Sequence, residues 1–180
     1  IITSSSYGLS LALKEQKQFS EAFEVARQLV QKNPFNLILQ TNILEIHLAS
    51  ENSFEAVSLG ENLLSINTGN YAISYYLAKA YLLNNEPTKA EKILLKMSED
   101  NPEDPSIWYI LAEAQGLSGN ILGLHRSRAE FFILTGRYDA AVFQLREALK
   151  LSQNFFEIRE SIISKLEDIF ETKRALKNTS

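Results

Sequence analysis

Small residues recur in this chain at a fixed interval, and that regularity limits the folds it can adopt more than any other feature. Three alanines, Ala22, Ala56 and Ala90, follow one another at an equal spacing. The same interval relates Leu29, Leu63 and Met97, which stand two helical turns after the alanines. Small side chains at a fixed interval allow neighbouring helices to approach closely, so the pattern predicts a stack of two-helix units without strands.

A helix–turn–helix unit with a period of about 34 residues is the hallmark of the tetratricopeptide repeat, and the spacing of the three alanines equals that period. The sequence thus resembles the tetratricopeptide superfamily. We therefore expect an all-α chain that forms a TPR-like right-handed α-solenoid of about ten helices. The expected organisation is a single repeat domain over 1–180 that ends in a long C-terminal capping helix. Its repeat units are placed at about 4–35, 36–69, 70–103, 104–135 and 121–153, and the capping helix at 154–176.

The last two repeat units overlap because the repeat changes phase. The run Gly136-Arg137-Tyr138-Asp139-Ala140-Ala141 restarts a second-helix pattern one and a half periods after Ala90. One helix around 124–134 is therefore predicted to serve both units. The capping helix should bury an apolar stripe and turn its charges to water. That stripe comprises Phe155, Ile158, Ile162, Leu166, Ile169 and Phe170.

Helix starts are signalled by capping residues. Asp104 precedes Pro105, which predicts an N-cap followed by proline at the first helical position. Thr88 with Glu91, and Asn154 with Glu157, have the spacing of a capping box, which places two further predicted starts near Thr88 and Asn154.

Charge and composition exclude several classes of partner. Eighteen basic and 22 acidic residues give a net charge of −4, which lacks the dense positive surface that nucleic acids require. The longest apolar run, 71–83, is interrupted by Lys79 and falls short of the roughly 18 residues of a membrane span. We expect neither a nucleic-acid partner nor a membrane span.

The sequence shows no constellation for catalysis or metal binding. Cysteine is absent, and the two histidines, His47 and His125, stand far apart and outside any H-E-x-x-H spacing. No G-x-S-x-G elbow or phosphate-binding glycine loop is present. We expect a chain without cofactors that is not itself an enzyme, in which His47 is a packing histidine with its hydrogen bonds satisfied.

What remains is a surface for binding proteins. In tetratricopeptide solenoids the first helix of each unit lines the concave side. Tyrosine suits such a groove because it offers a large ring and a hydroxyl with few rotatable bonds. The alternative, that these tyrosines pack between neighbouring units, stays open. The expected groove residues are Tyr7, Leu11, Ile38, Thr41, Glu45, Tyr75, Lys79, Leu82, Tyr109 and Glu113.

A narrower resemblance begins at Pro105. The motifs that carry it are Trp108-Tyr109-x-Leu111-Ala112-Glu113-Ala114, Gly119-Asn120, Leu124-His125-x-x-Arg128-Ala129-Glu130-Phe131-Phe132 and Gly136-Arg137-Tyr138-Asp139-x-Ala141. In these runs the chain resembles the C-terminal domain of bacterial periplasmic zinc metalloproteases of the β-barrel assembly-enhancing type. The opening Tyr7-Gly8-Leu9-x-Leu11-Ala12 is also similar to the start of that domain.

The resemblance implies a place and partners. The chain is expected to be a piece of a longer periplasmic protein of a Gram-negative bacterium, whose zinc would lie only in an upstream H-E-x-x-H protease domain. Implied partners are unfolded or stalled outer-membrane β-barrel proteins, their assembly machinery and the chain's own protease domain. Three alternatives stay open: a general TPR scaffold or adaptor unrelated to proteolysis, a helical-repeat RNA binder of the pentatricopeptide kind, and a self-contained hydrolase.

Overall fold

The computed structural model describes the backbone of residues 2–178 and the side chains of residues 4–176. The described range contains ten α-helices and no strand, which confirms the predicted all-α class. The helices are α1 Ile2–Glu15, α2 Phe19–Lys32, α3 Leu37–Ala49, α4 Ser53–Ile66, α5 Tyr71–Leu83, α6 Pro87–Asp100, α7 Pro105–Ser118, α8 Ile121–Leu134, α9 Tyr138–Leu151 and α10 Phe156–Asn178.

The chain forms two compact parts. The N-terminal part, Ile1–Glu86, contains α1 to α5, and the C-terminal part, Pro87–Ser180, contains α6 to α10. The grouping of the repeat units into one domain stays a prediction. No helix of the described range is long and apolar enough to cross a lipid bilayer.

In the N-terminal part α3 is the central helix, since it packs against α1, α2, α4 and α5. The periodic alanines Ala22 and Ala56 are completely buried, as the repeat pattern predicts. Ala22 and Ala26 on α2 form a core with Ile46 on α3, and Phe23 packs against this cluster. Small side chains thus let α2 approach α3 closely.

In the C-terminal part α8 packs against both α7 and α9, and α10 packs against α9. Ala90 on α6 is fully buried, like its periodic equivalents. A separate core joins α8, α9 and α10. Its buried members are Ala129, Ala141, Val142, Leu145, Ala148, Ile162 and Ile169.

The apolar stripe predicted for α10 is partly wrong. Ile162 and Ile169 are buried against α9, but Phe155 and Phe170 are 53% and 40% exposed. Phe155 precedes the first helical residue, Phe156, so it does not follow the helical register. Phe170 directly follows Ile169 and is therefore rotated about 100° around the helix from the buried stripe.

The repeat register is also visible in the turns. The Gln40 side chain donates to the Pro34 carbonyl at 2.6 Å, and Trp108 Nε1 donates to the Pro102 carbonyl at 2.7 Å. These two pairs stand two repeat periods apart in the sequence. Each bond fixes the turn that precedes a first helix, although the donor differs in chemistry.

One of the three capping predictions is confirmed. Asp104 accepts a hydrogen bond from the Ser106 amide at 2.8 Å and caps α7. The proposed capping box at Thr88 is wrong, because α6 already begins at Pro87. The Glu91 carboxylate instead accepts hydrogen bonds from Ser118 Oγ at 2.7 Å and Asn120 Nδ2 at 2.6 Å. The capping box proposed at Asn154 is also wrong, because α10 begins only at Phe156.

Candidate protein-binding surfaces

Three of the predicted groove residues come together in the N-terminal part around a tyrosine that the sequence analysis did not select. Tyr7, Glu45 and Tyr75 belong to α1, α3 and α5, and all three act electrostatically on Tyr76. Burial raises the pKa of the Tyr76 phenol, and its hydrogen bond to Glu45 raises it further. Tyr76 therefore stays a neutral hydrogen-bond donor at physiological pH.

Glu45 is already neutralised by a partner. Lys14 Nζ on α1 lies 2.6 Å from Glu45 Oε2, and the two side chains are 13% and 26% exposed. The carboxylate thus accepts hydrogen bonds from both an ammonium and the Tyr76 phenol. Glu45 therefore links α1, α3 and α5 and offers little negative charge to a ligand.

An aromatic stripe runs along α5. The Tyr75 ring stacks on Tyr71 with centroids 6.1 Å apart, and it meets Tyr76 edge-on at 5.9 Å. Lys79 Nζ lies 5.8 Å from the Tyr75 centroid, within cation–π range. Tyr75 and Tyr76 are half-buried and Tyr71 is 40% exposed. The stripe therefore combines an ordered arrangement with partial access from solvent.

The other predicted groove residues of this part differ in access. Thr41 is buried, and its hydroxyl donates to the backbone carbonyls of its own helix, Leu37 and Ile38, at 3.0 Å each. Leu11 and Leu82 are half-buried, whereas Ile38 is 64% exposed and Lys79 is also exposed. Thr41 thus has no hydroxyl proton to offer a ligand.

The C-terminal part has its own aromatic cluster. Tyr109 on α7 is 59% exposed, and its ring lies 5.4 Å from that of Phe131 on α8. Phe131 in turn contacts Phe132, and the Arg137 guanidinium lies 4.4 Å from the Phe132 centroid. Glu113 is exposed one turn after Tyr109. These contacts hold Tyr109 in place while most of its ring stays in water.

Sequence reasoning missed the residues that support the predicted tyrosines. Lys14 and Tyr76 complete the Glu45 cluster. Phe131 lies beside Tyr109, and Arg137 lies over the Phe131 ring. The doublets Tyr75-Tyr76 and Phe131-Phe132 are the signal that could have found part of this set. The pairing of Lys14 with Glu45 has no local sequence signature, because 31 residues separate them.

The two histidines lie in separate environments. His47 packs its ring 5.2 Å from Phe23, as expected of a packing histidine, but its Nδ1 is buried without a hydrogen-bond partner among the described residues. The expectation of a satisfied histidine is therefore wrong for this atom. His125 Nδ1 lies 2.7 Å from Gln144 Oε1. Within residues 4–176 no group of three or more metal-ligating side chains comes together.

A cleft of about 430 Å³ lies between the start of α9 and the end of α10. Arg137, Tyr138 and Leu176 line it, together with an ion pair between Lys173 and Asp139. The cleft is open and its two opposite charges are paired with each other, so it presents no uncompensated charge to a ligand from that pair.

Comparison with known proteins agrees with the repeat pattern. Residues 47–114 match the tetratricopeptide repeat family model. A fragment of MamA from Desulfovibrio magneticus RS-1 superposes with a TM-score of 0.68 over 96% of each chain, at 11% identity. TTC0263, a TPR protein from Thermus thermophilus, gives 0.60 over 91% of this chain and 98% of its own, at 16% identity. At such low identity these structures establish the fold alone.

Two curated relatives are similar in sequence over most of the chain. The β-barrel assembly-enhancing protease of Escherichia coli (strain K12) is 30% identical over 142 residues, which is 79% of this chain and 29% of the relative. The protease of the same name from Yersinia pestis is 28% identical over 145 residues, 79% of this chain and 29% of its own length. The chain therefore spans less than a third of the relatives that it matches. This chain carries the tetratricopeptide-repeat fold and is similar in sequence to part of the β-barrel assembly-enhancing proteases.

Proposed function

We propose that this chain is a non-catalytic protein-interaction domain of a periplasmic metalloprotease. In this proposal it engages outer-membrane β-barrel proteins or the machinery that assembles them. The observation that carries the proposal is the 30% identity over 142 residues to a protease named for enhancing β-barrel assembly. The coarser statement, a tetratricopeptide scaffold for protein interaction, rests on the fold and the family match.

Partly accessible aromatic side chains supply a physical basis for binding. Tyr75 and Tyr109 are held by neighbouring rings, so they lose little conformational freedom when a partner covers them. Tyrosine is enriched among residues that dominate binding energy, because its ring buries a large area and its hydroxyl can still form a hydrogen bond. These properties favour a polypeptide ligand over a small polar substrate.

Proteolysis would belong to another region of the parent protein. The zinc ion and its H-E-x-x-H ligands are assigned to an upstream protease domain, which would also contact this domain. The proposed location is the periplasm of a Gram-negative bacterium, as the relatives suggest. The role of this chain is then to bring a polypeptide close to the protease.

The direct test replaces the two tyrosines. The double variant Tyr75→Ala, Tyr109→Ala should weaken capture of a urea-unfolded outer-membrane β-barrel protein by roughly 1 kcal/mol or more, because anchor side chains are lost. Affinity is measured by surface plasmon resonance and helicity by circular dichroism. The control is Glu160→Gln, since Glu160 is an exposed charge of α10. Lys165 would be a poor control because it pairs with Glu130 at 2.8 Å.

The outcomes separate the alternatives. If the double variant captures the unfolded protein as well as the parent chain does, Tyr75 and Tyr109 are not anchors of the binding surface. If the parent chain captures no β-barrel protein but binds other polypeptides, it is a general scaffold. Retention of single-stranded RNA in filter binding at low salt would instead support the RNA-binding alternative, which the net charge of −4 opposes.

A further inference from the structure

Two segments of the N-terminal part contain no charged residue. They are 33–44 and 62–78, together 29 positions without Asp, Glu, Lys or Arg. At the chain's overall 22% of charged residues, about six charges would be expected there. Each segment contains one turn, between α2 and α3 and between α4 and α5 respectively.

These two turns lie at the same end of the N-terminal part. The short turns that join α2 to α5 make consecutive helices antiparallel. The helix α3 packs against both α4 and α5. The start of α3 therefore lies beside the end of α4 and the start of α5. We call this region the neutral edge and define it by Phe35, Ile38, Ile66 and Tyr71.

Large apolar side chains project from the neutral edge into water. Phe35 is 97% exposed, Ile66 81%, Ile38 64% and Tyr71 40%. Exposure of this extent at neighbouring positions marks a surface for interaction, because isolated exposed apolar residues are common but clusters are not.

The polar side chains of the neutral edge are occupied by the backbone. Asn36 Oδ1 accepts from the Ile38 amide at 3.1 Å, and Asn70 Oδ1 accepts from the Ile73 amide at 3.1 Å. Asn67 Nδ2 donates to the Leu63 carbonyl at 2.9 Å. The three asparagine side chains thus cap the ends of helices. The apolar side chains therefore form the main contact surface.

We propose that the neutral edge docks an extended, uncharged polypeptide segment rich in aliphatic and aromatic side chains. This inference deepens the proposed function, on which it rests, because it names the chemistry of the polypeptide that the domain holds. The two segments carry no counter-charge, and the charges that directly precede them along the chain, Lys32 and Glu61, stand just outside them. A charged segment would lose hydration there without gaining a partner within the segments, so charge complementarity favours a neutral one.

Two other occupants fit the neutral edge less well. A second copy of the chain is disfavoured because four side chains offer roughly 500 Å², whereas a stable interface buries about 800 Å² per partner. An anionic lipid surface is disfavoured because membrane-surface binding of this kind uses clusters of Lys and Arg, which the two segments lack.

The test uses a synthetic probe on the full chain. The probe is a dye-labelled peptide composed of Val, Leu, Phe, Tyr, Ser and Gly, and matched peptides carry Glu or Lys in place of Ser. Fluorescence anisotropy should show that Phe35→Ser, Ile66→Ser raises the Kd for the neutral peptide about tenfold. The matched control is Phe54→Ser, because Phe54 is 74% exposed and lies at the start of α4, at the opposite end. The control should bind like the parent.

A second pair of variants tests the preference for neutral ligands. Thr68 is exposed in the α4–α5 turn, so Thr68→Lys and Thr68→Glu place either charge on the neutral edge without disturbing the core. Both should weaken binding of the neutral peptide, and the parent should bind the Glu and Lys peptides more weakly than the neutral one.

Several results would overturn the inference. They are unchanged binding by the Phe35, Ile66 double variant, an equal loss in the Phe54 control, or tighter binding of a charged peptide. A dimer in sedimentation velocity, or co-sedimentation with phosphatidylglycerol vesicles, that the double variant abolishes would assign the edge to a second copy or to lipid. Failure to capture a β-barrel protein would refute the proposed function alone, since the synthetic peptide measures the edge separately.

Discussion

The two parts of the molecule use different residue types at the turn position whose backbone is left-handed. In the N-terminal part the turns between paired helices contain Lys17, Glu51 and Asn85, each with φ in the left-handed region at 58° to 60°. In the C-terminal part the corresponding conformation is adopted by Gly119, with φ of 83°, and again by Gly136, with φ of 71°. Positions 17, 51, 85 and 119 follow one another at the repeat period.

The difference shows that helix packing, more than turn chemistry, imposes this backbone conformation. A residue with a side chain in the left-handed region costs about 1–2 kcal/mol, whereas glycine adopts it freely. Lys17 and Glu51 bear this cost, whereas asparagine, as at Asn85, tolerates the region more readily. The contacts of α1 with α2 and of α3 with α4 must therefore offset the strain at Lys17 and Glu51. The C-terminal part avoids the strain at Gly119.

The parts also differ in what surrounds a glycine inside a helix. A Cβ added at Gly60 in the N-terminal part would lie 2.9 Å from Leu77 Cδ1, the end of a flexible side chain. A Cβ added at Gly123 in the C-terminal part would lie 2.6 Å from Asn120 Nδ2 and 2.7 Å from Gln115 Nε2. Both amide side chains there are held by hydrogen bonds, Gln115 to Ser127 and Asn120 to the Gly123 amide. The C-terminal part is thus less able to adjust.

The largest effect is expected at Gly123. Gly123→Ala should destabilise the chain by about 2 kcal/mol, because overpacking and loss of the Asn120 cap outweigh the better helix propensity of alanine. The measurement is urea unfolding followed by circular dichroism. Gly60→Ala is the matched variant and should cost less, because the one contact below 3.0 Å, to Leu77 Cδ1, can be relieved by rotation, while the 3.2 Å contact to Leu77 Cβ needs a shift of only a few tenths of an ångström. Equal costs would contradict the contrast between a fixed and an adjustable neighbour.

Gly119→Ala is expected to cost about 1 kcal/mol. A Cβ at Gly119 meets nothing within 4 Å, so the penalty comes from the left-handed backbone, reduced by the lower entropy of the unfolded chain. The control is Gly116→Ala in the preceding helix, where the added Cβ makes an ordinary contact with Leu124 at 3.7 Å. Thermal denaturation should show a lower Tm for Gly119→Ala and an unchanged or higher Tm for Gly116→Ala. An unchanged Tm for Gly119→Ala would mean that the turn can adopt a backbone conformation other than the left-handed one.

Glu51→Gly should produce a change of the opposite sign. Glycine relieves the strain of a positive φ but adds entropy to the unfolded chain, so a net stabilisation of about 0.5 kcal/mol is expected. Glu51 is exposed, which makes a loss of packing an unimportant contribution. Chemical unfolding of the parent and the variant under identical conditions provides the measurement. A destabilised variant would show that the Glu51 side chain contributes to the fold in a way that its exposure does not reveal.

The repeat pattern predicted the features that every repeat shares. Buried alanines, the ten helices and the Asp104 cap follow from spacing and local chemistry, so they could be read from the sequence. The left-handed turns could not, because Lys17, Glu51 and Asn85 share no turn-forming residue type. At Lys17 and Glu51 this conformation follows from the packing of α1 on α2 and of α3 on α4.

The candidate surfaces were predictable only in part, for the same reason. First-helix positions selected Tyr7, Glu45 and Tyr75 as groove residues, and the structure brings these three together around Tyr76. The ion pair of Glu45 with Lys14 depends on how α1 and α3 rotate against each other, which no local pattern encodes. The position of Glu45 in the repeat was therefore easier to predict than the residue with which it pairs.

The smallest effect concerns His47, and it changes with pH. Burial lowers the pKa of His47 below the ordinary 6.5, although Glu55 acts in the opposite direction. The neutral imidazole is therefore the form that the folded chain prefers, and its stability is fully present above pH 6.5. As the pH falls below 6.5 the unfolded chain binds a proton that the folded chain does not, so the free energy of unfolding decreases. This loss ends once the pH has passed the lowered pKa of the folded chain.

A variant isolates this contribution from the carboxylates, which titrate at lower pH. His47→Phe keeps an aromatic ring against Phe23 and removes the titrating group. It also removes the buried Nδ1 that lacks a partner among the described residues. Urea unfolding at pH 7.5 and pH 5.5 should show a larger loss of stability in the parent than in His47→Phe. Equal losses would mean that the folded chain stabilises the protonated form of His47 as well as water does. The difference between His47 and His125, whose Nδ1 lies against Gln144, would then have no effect on stability.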